Sequence, residues 1–149
     1  MLRLTKKMRF ALEAVVDIAY NARPEPVQSR EITKRQGIPQ RYLEQVMQQL
    51  VHANILKGVR GPRGGYTLAR ERRRITVGEI IRVVGEVEED NGAGESQSQL
   101  GAAVISPLWE EMQTEMMRRF DNVTIEDLCR RADASRIQPE QQRQADFTI

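Results

Sequence analysis

Side chains able to do covalent or acid-base chemistry are few in this 149-residue chain, which holds one histidine, His52, and one cysteine, Cys129. Neither has a Ser, Cys or Asp companion at a spacing that suggests a nucleophile and its base. His52 reads as a surface or packing residue near the end of an amphipathic helix, and Cys129, next to Leu128, as a small buried hydrophobe rather than a redox sensor. One cysteine and one histidine also leave no intrachain disulfide and no local Cys/His metal cage. Gly61, Gly64 and Gly65 lack the Lys-Ser/Thr ending of a phosphate-binding loop and lead into a strand pattern. No catalytic, metal or cofactor residue is expected, and the chain reads as a non-enzyme.

The chemistry that remains is hydrogen bonding and charge. Gln40, Arg41, Tyr42, Glu44, Gln45 and Gln48 fall on one side of a helical pattern, opposite Leu43, Val46, Met47 and Leu50. Glutamine, arginine and glutamate can read base edges in a major groove, and glutamine suits the paired donor and acceptor of adenine. Arg60 and Arg63 flank Gly61-Pro62, where small glycines let a backbone approach a polymer closely. Residues 1–75 carry 16 Lys/Arg against 6 Asp/Glu, whereas residues 76–149 carry 7 against 15. A basic half beside an acidic one points to a polyanion as partner of the first half.

These residues need elements to hold them. Met8, Ala11, Leu12, Val15, Ile18 and Ala19 recur at helical spacing over Lys6 to Tyr20, with Thr5 as N-cap. Residues 21–28 read as a connection, Ser29 as the cap of a short helix to about Gln36, and Gly37 as its stop. A second helix from Pro39 to about Ala53 follows after a very short turn, the pattern of a helix-turn-helix. Asn54–Arg60 and Gly65–Leu68 then read as two strands around a Gly/Pro turn, a β-wing with a basic tip. Thr76 with Glu79, and Thr124 with Asp127, have the spacing of capping boxes for helices to about Val84 and Ala132.

The second half holds one long amphipathic pattern: Val104, Leu108, Met112, Met116 and Phe120 at intervals of four, widened by Ile105, Trp109 and Met117. So wide a stripe exceeds what a small winged-helix core can cover, so Val104, Leu108, Trp109, Met112, Met116 and Phe120 are expected to pack on a second copy across a twofold axis. The expected fold class is mainly α with a small β-wing: a winged helix-turn-helix domain plus a long C-terminal dimerisation helix. Expected boundaries are the DNA-binding domain at 1–84, a flexible acidic loop at 85–102, the dimerisation helix with a final short helix at 103–134, and a polar tail at 135–149. With aromatic residues at 5% the core must be aliphatic and methionine-rich. No stretch approaches the roughly 18 apolar residues of a membrane helix, and the N-terminus lacks the order of a signal peptide, so a cytoplasmic location is expected.

Leu4-Thr5-Lys6, Gln36-Gly37-Ile38, Tyr42-Leu43-Glu44-Gln45, Val59-Arg60-Gly61-Pro62-Arg63-Gly64-Gly65-Tyr66 and Ile75-Thr76-Val77-Gly78-Glu79-Ile80-Ile81 together resemble the Rrf-two family of bacterial transcription regulators, over about residues 1–132. The resemblance implies a homodimeric repressor with its recognition helices in successive major grooves of a twofold-related operator. It also implies that Arg41, Tyr42, Glu44 and Gln45 contact bases or phosphates and that Arg60 enters the minor groove. Cluster-binding members keep three cysteines in the segment matching Glu86 to Pro107, where this chain has none. The sequence is more similar to the members that repress cysteine metabolism and lack those ligands, in part through an ending of an aromatic residue followed by Ile at the close of Phe147-Thr148-Ile149. That likeness implies cysteine synthase as a partner. The alternatives are an iron-sulfur or redox-responsive regulator, and a protein-interaction adaptor that keeps the winged-helix shape without binding DNA.

Overall fold

Thr5 starts the first helix, its hydroxyl accepting from the Met8 N–H at 3.1 Å, and α1 runs Lys6–Tyr20. Its stripe of Met8, Ala11, Ala14, Val15, Ile18 and Ala19 is buried and forms the spine of the core. Small Ala11, Ala14 and Ala19 let neighbouring helices approach closely, and α1 packs against most of the helices that follow. The computed structural model describes residues 4–85 and 98–140, and the account below concerns these.

The second helix, α2, spans Ser29–Gln36, so Ser29 lies inside it and Gln28 is the cap. The reason is Glu31, whose carboxylate reaches back to the Gln28 N–H at 2.8 Å and fixes the first turn one residue earlier than a serine cap would. Gly37 stops α2 in the left-handed region, at φ 66°, a conformation that a side chain would strain. Ile38 is buried beneath the turn, and Pro39 precedes α3, Gln40–His52, as its N-cap rather than as its first residue. Leu43, Val46, Met47 and Leu50 are buried as their spacing predicts.

The wing is an antiparallel pair, β1 Leu56–Val59 and β2 Gly65–Leu68, in register from Leu56 opposite Leu68 to Val59 opposite Gly65. Residues 54, 55 and 60 lie outside the first strand, because Asn54 takes a positive φ to turn out of α3 and Ile55 is tied to Leu50 and Ala69 by backbone bonds. A third short partner was not anticipated in the sequence. Val27, in the segment read as a plain connection, bridges to Tyr66 with reciprocal hydrogen bonds of 2.9 and 2.8 Å. Gly65 is obligatory there, since a Cβ would stand 2.4 Å from the Val27 carbonyl oxygen.

A 3-10 turn at Arg72–Arg74 leads to α4, Val77–Gly85. Only half of the capping box at its start forms. The Thr76 hydroxyl accepts from the Glu79 N–H, while the Glu79 carboxylate turns to the Arg70 guanidinium at 2.5 Å, a charged donor that outcompetes a neutral amide. The box at Thr124 is complete, each side chain meeting the other residue's N–H at 2.9 and 3.1 Å, and it opens α6, Ile125–Ala134.

Between them lies the long helix. Residues 101–105 make a π-helical turn that continues into α5, Ser106–Asp121. The acidic segment expected as a loop at 85–102 therefore has helical ends, Gly85 closing α4 and residues 99–102 already helical; its middle, 86–97, falls outside the described residues, as does most of the polar tail. α5 leans on α4, where Asp121 takes both ends of the Arg82 guanidinium at 2.5 and 2.8 Å and leaves no space for a Cβ on Gly78. The fold is mainly helical with one two-stranded antiparallel sheet, as the sequence predicts. Among the described residues no helix is long and apolar enough to cross a membrane.

Candidate nucleic-acid interface

Burying one side of α3 necessarily offers the other to solvent. Gln40, Arg41, Tyr42, Glu44, Gln45 and Gln48 are all exposed, and so are Arg60 and Arg63 at the wing tip. Three of these side chains, Gln40, Glu44 and Tyr42, are already partly committed. Gln40 accepts from the Thr33 hydroxyl at 3.1 Å and donates to Glu44 at 3.2 Å, which links α2 to the first turn of α3. The Tyr42 ring lies against Phe10 of α1, with ring centres 5.8 Å apart, so its orientation is set from behind. Arg41, Gln45, Gln48, Arg60 and Arg63 have solvent in front of them, as side chains must if they are to meet another polymer.

What holds this surface is a charged clamp that the sequence reading overlooked. Asp17, on the buried face of α1 with a fully buried carboxylate, accepts from Arg35 Nε at 2.9 Å, Arg35 Nη2 at 2.8 Å and Gln36 Nε2 at 2.8 Å. The last turn of α2 is thereby fixed to α1 immediately before the turn into α3. The hydrogen bonds that Arg35 donates to Asp17 hold its guanidinium firmly protonated, its pKa raised against the opposing effect of burial. The clue in the sequence was a single carboxylate inside an otherwise apolar stripe, between Ala14 and Ile18. A second connection runs from Arg23 to Glu31 at 2.7 Å. Burial would raise the Glu31 pKa, but Arg23 and the Gln28 N–H prevail and lower it.

The wing tip is built from glycine. Gly61 has φ 114°, and a Cβ on Gly64 would stand 2.2 Å from the Val59 carbonyl oxygen. A polar cleft of about 630 Å³ lies between this tip and the start of α2, with Arg60 on one wall and Ser29 and Arg30 on the other. Arg30 was not among the expected contacts, because it lies in the helix that precedes the recognition helix.

Of the expected dimer-forming residues, Val104, Leu108, Trp109 and Met112 are exposed, Trp109 by 48%, whereas Met116 and Phe120 are half-buried. Phe120 packs on its own core. Among the described residues, the N-terminal part of the stripe is thus the more exposed part. Cys129 is buried, and burial, offset in part by nearby Arg72, pushes its thiol pKa up, the direction of an unreactive thiol. His52 is exposed at the end of α3.

A helix-turn-helix clamped to a helical core, followed by a glycine-built basic wing, defines a winged-helix DNA-binding regulator. Comparison with known proteins makes the class specific: residues 4–131 match the Rrf2 family, described as "Iron-dependent Transcriptional regulator". The chain belongs to the Rrf2 family of transcriptional regulators. It is 33% identical over 146 residues to the HTH-type transcriptional regulator IscR of Cronobacter sakazakii, covering 97% of this chain and 90% of that one. Among solved structures it is similar to T. potens IscR, with a TM-score of 0.73 at 31% identity over 95% of this chain and 96% of that one. It is also similar to CymR, "the Global Cysteine Regulator of B. subtilis", with a TM-score of 0.70 at 29% identity over 87% and 97%. Regulators of both names stand at comparable distance, so overall similarity does not assign the chain to either type.

The family's description raises an iron group; the sequence does not fit a thiolate-held cluster, and the described residues do not fit a mononuclear site. The whole sequence has one cysteine and one histidine, on different helices, and the described residues hold no group of three His, Cys, Asp or Glu side chains able to share a metal ion. A cluster needs several thiolates in one place.

Proposed function

We propose that this chain is a homodimeric transcriptional repressor that reads a twofold-related operator in the cytoplasm. In this reading α3 enters the major groove with Arg41, Gln45 and Gln48 toward base edges and Gln40, Tyr42 and Glu44 shaping the approach. Arg60 and Arg63 take the neighbouring minor groove or its phosphates. The 1–84 segment acts as the DNA-binding unit and α5 as the dimerisation element, through Val104, Leu108, Trp109, Met112, Met116 and Phe120. The observation that carries the reading is the exposed hydrogen-bonding face of α3 next to a basic wing, in a chain that belongs to a family of transcriptional regulators.

Selection of fragments of the source genome by the purified protein tests it. A recurrent inverted repeat upstream of genes supports the repressor, and an absence of enrichment at low salt leaves the adaptor alternative. A sensing role in cysteine or sulfur metabolism is favoured by the missing cluster ligands and by the similarity to CymR. It carries cysteine synthase as partner, tested by pull-down with and without O-acetylserine; no retention in either condition removes that partner.

A further inference from the structure

Behind the helix-turn-helix, α1, α2 and α6 diverge around a cavity of about 410 Å³. Its walls are Leu12 and Val16 of α1, Leu128 and Ala132 of α6, and Ile137 from the segment after α6. That segment is held across the opening: the Tyr20 hydroxyl donates to the Ile137 carbonyl, and the Glu140 N–H donates to Asn21 Oδ1 at 2.9 Å. The floor is the Asp17–Arg35–Gln36 clamp. The cavity is thus apolar along most of its sides and polar at the clamp that holds α2 and at a rim that includes Glu13, Tyr20, Asn21 and Gln138. Its size falls within the range of small-molecule sites.

We propose that this cavity binds a small, uncharged, largely apolar molecule bearing one hydrogen-bonding group, and that the bound molecule alters DNA reading through the clamp. Charge on the floor decides the ligand class. The Asp17 carboxylate already accepts three hydrogen bonds, two of them from Arg35, and Glu13 is paired with Arg9 at 2.9 Å, so an ammonium group would find each carboxylate of the lining already matched by a guanidinium. Arg35 is surrounded by Asp17, Glu31 and Glu140, the last two at 3.9 Å from Nη1, so an added carboxylate would meet three others. Either ion would lose its hydration without a matching partner. A neutral hydroxyl or carbonyl meets no such cost, because Gln36 spends one amide N–H on Asp17 and Arg35 Nη1 has its carboxylate neighbours only at 3.9 Å. A bicyclic aromatic alcohol has the required size and single polar handle.

The coupling follows from position. Gln36 is the last residue of α2, and Gly37 and Ile38 carry the chain into the turn before α3. A molecule bound against Gln36 and Arg35 biases the seat of α2, and by linkage DNA must then alter the affinity for the molecule. Ligand binding itself is independent of the proposed DNA reading, whereas the coupling rests on it, so the two are measured separately.

The test is calorimetric titration of the purified full chain with 1-naphthol, 1-naphthoate and 1-naphthylmethylamine, the last two being an anion and a cation of similar shape at pH 7. Saturable 1-naphthol binding with both ions at least tenfold weaker is expected. Val16→Trp, which fills the cavity from α1, removes the binding, and Ala132→Leu, a smaller intrusion from α6 for use should the first variant fail to fold, weakens it at least tenfold. Absence of 1-naphthol binding, equal binding of either ion, or unchanged binding in a folded filling variant overturns the site. In a second measurement, saturating 1-naphthol shifts the affinity for a genome-selected duplex by at least threefold; no shift, with the selected duplex still bound, overturns the coupling and leaves the DNA reading standing.

Discussion

Replacing Asp17 by alanine removes the partner of a guanidinium that is only 14% exposed, and its cost can be worked from the clamp. Breaking one side of a buried ion pair costs roughly 3–5 kcal/mol, because the surviving charge stays desolvated. Here the loss falls at the low end, near 3 kcal/mol, since Glu31 and Glu140 remain 3.9 Å from Arg35 Nη1 and can take up part of its charge. For a chain of this size that lowers the midpoint of thermal unfolding by about 6–12 °C. Removing both charges is different: Asp17→Leu with Arg35→Met leaves no orphan ion and recovers most of the loss. Thermal and urea unfolding followed by circular dichroism, on both single variants and the pair, measures this. A drop below about 1 kcal/mol for Asp17→Ala, or a double variant as unstable as the sum of the singles, refutes the claim that this pair seats α2 on α1.

Other consequences are open to simple tests. Trp109→Glu with Leu108→Glu places two charges in the exposed stripe of α5 and shifts the chain from dimer to monomer in analytical ultracentrifugation at micromolar concentration, with helix content retained. Gly65→Ala forces a Cβ to 2.4 Å from the Val27 carbonyl and costs about 2 kcal/mol in urea unfolding, whereas Gly58→Ala, where open space receives the methyl, costs less than half of that. The lowered pKa values of Glu31 and Asp127 give a pH dependence of definite sign. Their contributions are complete above the ordinary carboxylate range near 4.3 and fade as pH falls below it toward the folded values, so Glu31→Gln flattens the acid limb of a stability-pH curve.

Helices were legible wherever a stripe had the 3.6-residue period, because burial of one face is what makes them form; α1, α3 and the caps at Thr5, Gly37 and Thr124 follow directly. The hairpin was legible from Gly61, Pro62 and Gly64, since few residues tolerate that backbone. What the sequence concealed depends on partners distant in the chain. Val27 bridges to Tyr66 thirty-nine positions later, and nothing in Pro26-Val27-Gln28 signals it. Glu79 has the spacing of a capping residue but is drawn to Arg70, a choice that only the folded geometry makes. Asp17 and Arg35 were each legible as charges, and only the packing of α2 on α1 makes them a pair. The exposed face of α3 was fixed by the burial of Leu43, Val46, Met47 and Leu50, so the candidate contact residues were available from spacing alone.

The contact of α3 and the wing with a duplex is the claim on which the functional reading stands. Fluorescence anisotropy of a genome-selected duplex, titrated with wild type, Gln45→Ala and Arg60→Ala across a series of salt concentrations, tests it most directly. Each substitution is expected to weaken binding by about 1–3 kcal/mol, and Arg60→Ala also to make the logarithm of affinity less steep against the logarithm of salt, by about one if Arg60 meets a phosphate. Folded variants that bind the duplex as tightly as wild type would show that the chain reads DNA with some other surface.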